Sequence, residues 1–592
     1  MMAIVFQPLY LAVILALSSC LLLTGCHPAQ FTTQQAQGSQ LVLATPGDPK
    51  TFNYAVNTSL YGPLGYLYVG MLRENGLTAE LEPVLAESWR ISPDKRQVTF
   101  TLRAGLEWSD GQPLTADDVL FSYQDIYLNP AIPTVYRDFL RIGRAGKLPT
   151  VQKLDQQRVE FTLPEPFAPF LRNAGTLAIL PAHALRDSVL ATDGKGNSRF
   201  LSTWGTGTNP QEIIGNGPYR IESYEPGQRL ILRRNPHYWR SDTQGNPQPY
   251  IERLVQQIIS STDDQLLRFR SGELDSIKVR SEAFSLLKGE EKRGKYSIYN
   301  GGPEASIRFV GFNLNQARNA QGEPFVDPIK SRWFNTLAFR QAVAYAIDRE
   351  RIKNSVYQGL GELQHSPIAI QSPYYLSPED GLKIYTHDPQ KAKQLLLEAG
   401  FQYNSAQELL DGQGNRVKFT ILVKSEEKAR VDTAVQIQQD LSQIGIRADL
   451  QVLSFNTVLQ KLLDHRDWEC YVGAFEVGMI EPHNIFLFWY SGGSFHQFNQ
   501  GPQPGAAPIE GWRVSDWERE IDNLFIAGVK ELDENKRKAI YDQFQQIVAE
   551  QAPVFFLVNP LSFQAVRDRV QNLKFSALRG AFWNIEELSI LK

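Results

Sequence analysis

Between Val98 and Tyr123 the chain spells out a strand, a turn and a capped helix without interruption, which commits it to a fold in which helices pack on sheets. Val98, Phe100 and Leu102 alternate with Thr99, Thr101 and Arg103, the period of a strand with one buried face. Ser109-Asp110-Gly111 ends it as a turn in which Gly111 is free to take positive φ. Thr115 is placed to N-cap the next helix, and Asp118 three residues on completes a capping box while suiting the positive helix end. Val119, Leu120, Tyr123, Ile126 and Tyr127 follow at helical spacing. The segment holds no obvious catalytic group, so it speaks for architecture alone.

At 592 residues, 42% hydrophobic and 21% charged, the chain can build a sizeable core. That length suits roughly four average domains or a few large lobes made of discontinuous segments. The formal charge of −4 carries none of the basic excess of a nucleic-acid binder, so no nucleic-acid partner is expected.

Leu11 to Leu23 is an apolar run suited to a signal-peptide core and short for a transmembrane helix. It ends in Leu23-Thr24-Gly25-Cys26, which matches the bacterial lipobox, so residues 1–25 are expected to be a lipoprotein signal peptide and Cys26 to be lipidated. Residues 1–10 lack the usual Lys or Arg, and an uncleaved anchor is the alternative. Residues 26–40, polar and aperiodic, read as a flexible tether. Of three cysteines, Cys20 falls in the leader and Cys26 at the lipidation site, leaving Cys470 without an intrachain partner. Stability must then come from core size, and Cys470 itself reads as a small buried hydrophobe.

Other stretches are equally legible. Asp388-Pro389 through Gly400 has an N-cap, a proline at the first helical position and a glycine past the end. Gly215-Asn216-Gly217-Pro218-Tyr219-Arg220 makes a tight entry to a strand, and Gly272 in Arg270–Asp275 reads as a helix C-cap. These runs, with Asp48–Asn53, Leu85–Trp89, Val98–Tyr123, Arg234–Trp239 and Ala338–Arg349, resemble the recurring motifs of bacterial ABC-transporter extracellular solute-binding proteins of the oligopeptide, dipeptide and nickel group. The resemblance implies an α/β, two-lobed periplasmic-binding-protein-like fold with a ligand cleft between the lobes. One lobe would combine 41–77, 205–305 and 552–592, with an extra subdomain at 78–204. The other would be 306–551, and Arg308–Asn315 and Ala552–Val558 would be the two crossing strands.

In peptide-binding members of that family the second lobe carries "G-W-x-x-D-x-x-D/E-P", whose first acid meets the ligand's α-amino group. Here Gly473 to Pro482 matches the run, with Phe475 inside it, but Gly478 stands where the acid belongs. Glu476 or Glu481 is the expected replacement, and a plain surface or turn carboxylate is the alternative for each. Downstream, aromatic residues crowd around Ser491–Ser494, and Trp489 and Tyr490 are the expected cleft contacts, core packing being the other explanation. On the first lobe Asn57, Thr58 and Tyr61 occupy the loop that faces ligand in relatives. Glu481, His483 and His496 lie close in sequence but lack metal-ligand spacing, and neither a nucleophile elbow nor a zinc-protease motif is present. No metal, cofactor or enzymatic activity is expected.

The resemblance therefore implies a monomeric lipoprotein on the extracytoplasmic side of a membrane. It would capture an oligopeptide or similar polar solute and deliver it to an ABC permease and ATPase complex. A sensor or assembly lipoprotein without transport, or a nickel or metal-chelate binder, are the alternatives.

Overall fold

The computed structural model describes residues 39–57, 62–143, 146–475, 480–502 and 506–591; the expected signal peptide, Cys26 and most of the expected tether lie outside the described residues. In the first lobe, Gln40–Thr45 runs parallel to Arg253–Ile258, and Arg229–Arg234 and Tyr219–Glu225 complete that sheet antiparallel. A second sheet places Val558–Arg567 between Ser276–Val279 and Tyr296–Pro303. The extra subdomain is a four-stranded antiparallel sheet in the order Ala86–Ile91, Gln97–Leu102, Arg158–Thr162, Thr150–Lys153. Its apolar face shares one core with the first lobe, in which Phe100, Phe161, Leu232 and Leu254 are fully buried.

The strand anticipated from Val98 is Gln97–Leu102, and Val98, Phe100 and Leu102 are its buried residues. The helix Ala116–Phe121 begins with the Thr115/Asp118 capping box. It does not continue as α-helix: Ser122–Tyr127 forms π turns. The wider turn carries Tyr123 and Tyr127 toward the 174–180 segment, where their hydroxyls donate to the carbonyls of Ala174 and Ala178, the latter at 2.6 Å.

The second lobe is built on five strands in the order Arg447–Leu453, Lys418–Lys424, Cys470–Phe475, Ile307–Phe312, Val554–Phe556. Cys470 is buried in it, and burial pushes its thiol pKa up. Close approach fixes one glycine: a Cβ on Gly311 would sit 2.7 Å from Val554 Cγ1.

The connections differ from expectation in two respects. Both crossing strands are members of the second-lobe sheet, so the chain passes between lobes at 304–306 and again at Leu557, later than a boundary at 552. Gly361–Leu363, expected inside the second lobe, pairs with Val558–Arg567 of the first. The lobes also meet through the subdomain. Ala168 N–H donates to the Val529 carbonyl at 2.6 Å, Lys530 pairs with Glu165 at 2.7 Å, and Phe167 meets the His483 ring edge-on. Among the described residues no helix is long and apolar enough to cross a membrane.

Candidate functional site

A cavity of about 580 Å³ lies where the chain passes between lobes. Glu304, Ser306 and Arg308 form its back, Glu74, Arg172, Lys278 and Arg579 its first-lobe wall, and Glu427, Ile480, Glu481 and Asn484 its second-lobe wall. Glu74 ends the strand Leu72–Glu74 of a short hairpin, and Arg172 projects from the helix Phe170–Gly175 of the extra subdomain.

Each lining carboxylate is matched by basic groups. Glu74 meets both Arg172 and Arg579. Glu304 meets Lys278 at 2.7 Å and Arg308 at 3.3 Å. Glu427 meets Arg430, Lys424 and Arg308 at 2.7, 3.3 and 3.5 Å. The site is therefore a charge-balanced mosaic, Glu74, Glu304, Glu427 and Glu481 against Arg172, Lys278, Arg308 and Arg579, an environment that suits a ligand carrying both signs of charge.

Glu481 is placed in this wall, but its oxygens are engaged. Arg537 donates to them at 2.5 and 2.9 Å, and the His483 N–H donates at 3.0 Å. Both side chains are almost fully buried. Burial works to raise the Glu481 pKa, yet Arg537 outweighs it and holds the carboxyl below its ordinary range. Arg537 is itself fixed by the Tyr374 hydroxyl and the Gly528 carbonyl. Glu481 thus organises the cleft wall, with three of its roughly four acceptor positions already taken.

The other anticipated residues divide differently. Trp489 is buried among Phe488, Phe498 and Phe544, a core position and not a cleft wall. Tyr490 stacks on Phe486 with ring centroids 4.6 Å apart, and Phe475 stacks on Phe309 at 5.2 Å. Neither lines the interlobe cavity. Asn57 is buried and ends the short turn Tyr54–Val56, donating its N–H to the Tyr54 carbonyl at 3.3 Å. Thr58, Tyr61, Glu476 and Gly478 lie outside the described residues. His496 is held between the Phe488 carbonyl and Glu518, at 2.7 and 2.9 Å, far from any role shared with His483. Arg172 and Arg579 went unnoticed in the sequence, and Arg308 was read only as the start of a crossing strand, since isolated charges carry no periodic signature.

Residues 80–497 match the family model described as "Bacterial extracellular solute-binding proteins, family 5 Middle". The chain belongs to this family. A relative from Deinococcus radiodurans, described as "Probable ABC transporter-binding protein", is 27% identical over 95% of this chain and 94% of its own. The oligopeptide-binding protein AppA of Bacillus subtilis is 25% identical over 94% of this chain and 92% of its own. The solved ABC transporter substrate-binding protein CtaP of Listeria monocytogenes superposes with a TM-score of 0.73 at 22% identity, covering 94% of this chain and 100% of that one. The two-lobed fold and the placement of the cavity between lobes agree with family 5 membership, and these relatives are binding proteins by description.

Proposed function

We propose that this family 5 protein is the substrate-binding lipoprotein of an ABC importer. It captures an oligopeptide or similarly sized polar solute between its lobes and delivers it, as a monomer held to the membrane through Cys26, to a permease and ATPase complex. The observation that carries the reading is the cavity at the lobe crossings, closed in by charged side chains from both lobes. Relatives described as oligopeptide- and dipeptide-binding proteins support the ligand class. The balanced acids and bases of the wall suit a zwitterionic solute such as a peptide. With Glu481 committed to Arg537, Glu476 is the better of the two candidates for a ligand amine.

Leader-free protein titrated with short peptides should gain thermal stability by the mass-action increment of a ligand that binds the folded state only. Glu476→Ala should weaken peptides with a free amine and spare their acetylated forms. No stabilisation by any peptide, with no change in radius of gyration by solution scattering, would refute solute capture. For the anchor, Cys26→Ala should move the protein from the membrane to the soluble fraction.

A further inference from the structure

The interlobe cavity has a neighbour. A second cavity of about 1000 Å³ lies inside the first lobe, and Glu74, Lys278 and Arg579 line both. Their chemistries differ: opposed charges wall the first, while the second adds Tyr54, Tyr66, Tyr238, Phe582 and Trp583 to charged residues such as Arg73 and Glu586. The Glu74–Arg579 ion pair therefore stands where a charged chamber meets an aromatic one.

The two members of the pair are held differently. Glu74 has a 13% exposed side chain and a second partner in Arg172, which also donates to the Ala79 carbonyl at 2.9 Å. Arg579 is 48% exposed and sits on a tight turn closed by the Gly580 N–H on the Ser576 carbonyl at 2.9 Å. Glu74 is thus the enclosed, doubly paired half and Arg579 the half-exposed one. A single substitution at the half-exposed member therefore opens the boundary, while Glu74 keeps its pair with Arg172.

We propose that the Glu74–Arg579 pair is a partition that sets the length of solute this protein accepts. Closed, it confines the ligand to the charged chamber, whose volume falls in the range that encloses one small ligand. Removed, it lets the far end of a longer peptide enter the aromatic chamber. The inference rests on the solute-capture reading above.

Calorimetry on the leader-free protein with the peptides Tyr-Ala(n), about two to six residues long and so lengthening by ~3.5 Å per step, tests it. Wild-type affinity should fall by about tenfold or more once the peptide outgrows the charged chamber. Arg579→Ala should abolish that fall, read within each protein as the ratio of long- to short-peptide affinity. Because Glu74 keeps Arg172, this variant strands no buried charge, and Arg579→Lys should retain the wild-type length profile. The partition is refuted if wild type and Arg579→Ala share one length profile, or if the variant weakens all lengths alike, as an ordinary contact would. If wild type binds no peptide while remaining folded by circular dichroism, the peptide reading fails, and the partition with it.

Discussion

A buried carboxylate that accepts two guanidinium N–H groups and a backbone N–H has its hydrogen-bonding capacity directed inward, and Glu481 is such a group. Breaking a buried pair by removing one partner leaves the other charge uncompensated. Glu481→Ala should therefore lower the unfolding free energy by about 3–5 kcal/mol in urea titrations, and adding Arg537→Met should recover part of that loss. Unchanged stability in the single variant would mean the pair is not structural. The Glu481-Pro482 step was visible in the sequence; its partner was not, because Arg537 lies 56 residues away on another helix. Trp489 shows the same limit. Aromatic crowding announces burial or binding equally well, and only the surrounding rings decide for the core.

At the level of elements, the helix Asp516–Lys530 links the core to the interlobe contact. It starts at a Ser515/Glu518 capping box whose carboxylate also accepts from His496 and Asn499, and it ends where Val529 and Lys530 meet the extra subdomain. Losing such a cap costs about 1 kcal/mol, so Ser515→Ala should shift the urea midpoint down by that equivalent. Glu165→Lys turns the contact with Lys530 repulsive. An exposed pair is worth about 0.2–1 kcal/mol, so ligand affinity should fall by about 1.4- to 5-fold, with a larger radius of gyration in scattering. An unchanged radius and affinity would show that the contact does not favour the closed arrangement. Elements encoded by local chemistry, such as Gln97–Leu102 and the Thr115 cap, were legible in advance. The π turns after Phe121 were not, because tyrosine hydroxyls reaching carbonyls 51 residues away accompany them.

For the whole molecule, acid should loosen what neutral pH holds. Burial pushes His483, ringed by Phe167 and Phe486, down to a pKa of about 4, and burial beside Arg349 does the same to His365. An unfolded chain takes up protons near pH 6.5 that the folded one refuses until about 4. Stability is thus full above pH 6.5 and declines below it, by up to about 1.4 kcal/mol per pH unit for each histidine. Denaturant titrations between pH 7 and 4 should show this slope, and His483→Phe should reduce it; an equal slope in the variant would remove His483 from the account. The path of the chain has a further consequence, for biosynthesis. Val558–Arg567 fills the middle of a first-lobe sheet and bonds to residues as much as 298 positions earlier. A growing polypeptide therefore holds that sheet open while nearly everything else is being made, and the lobe that begins first is the one completed last.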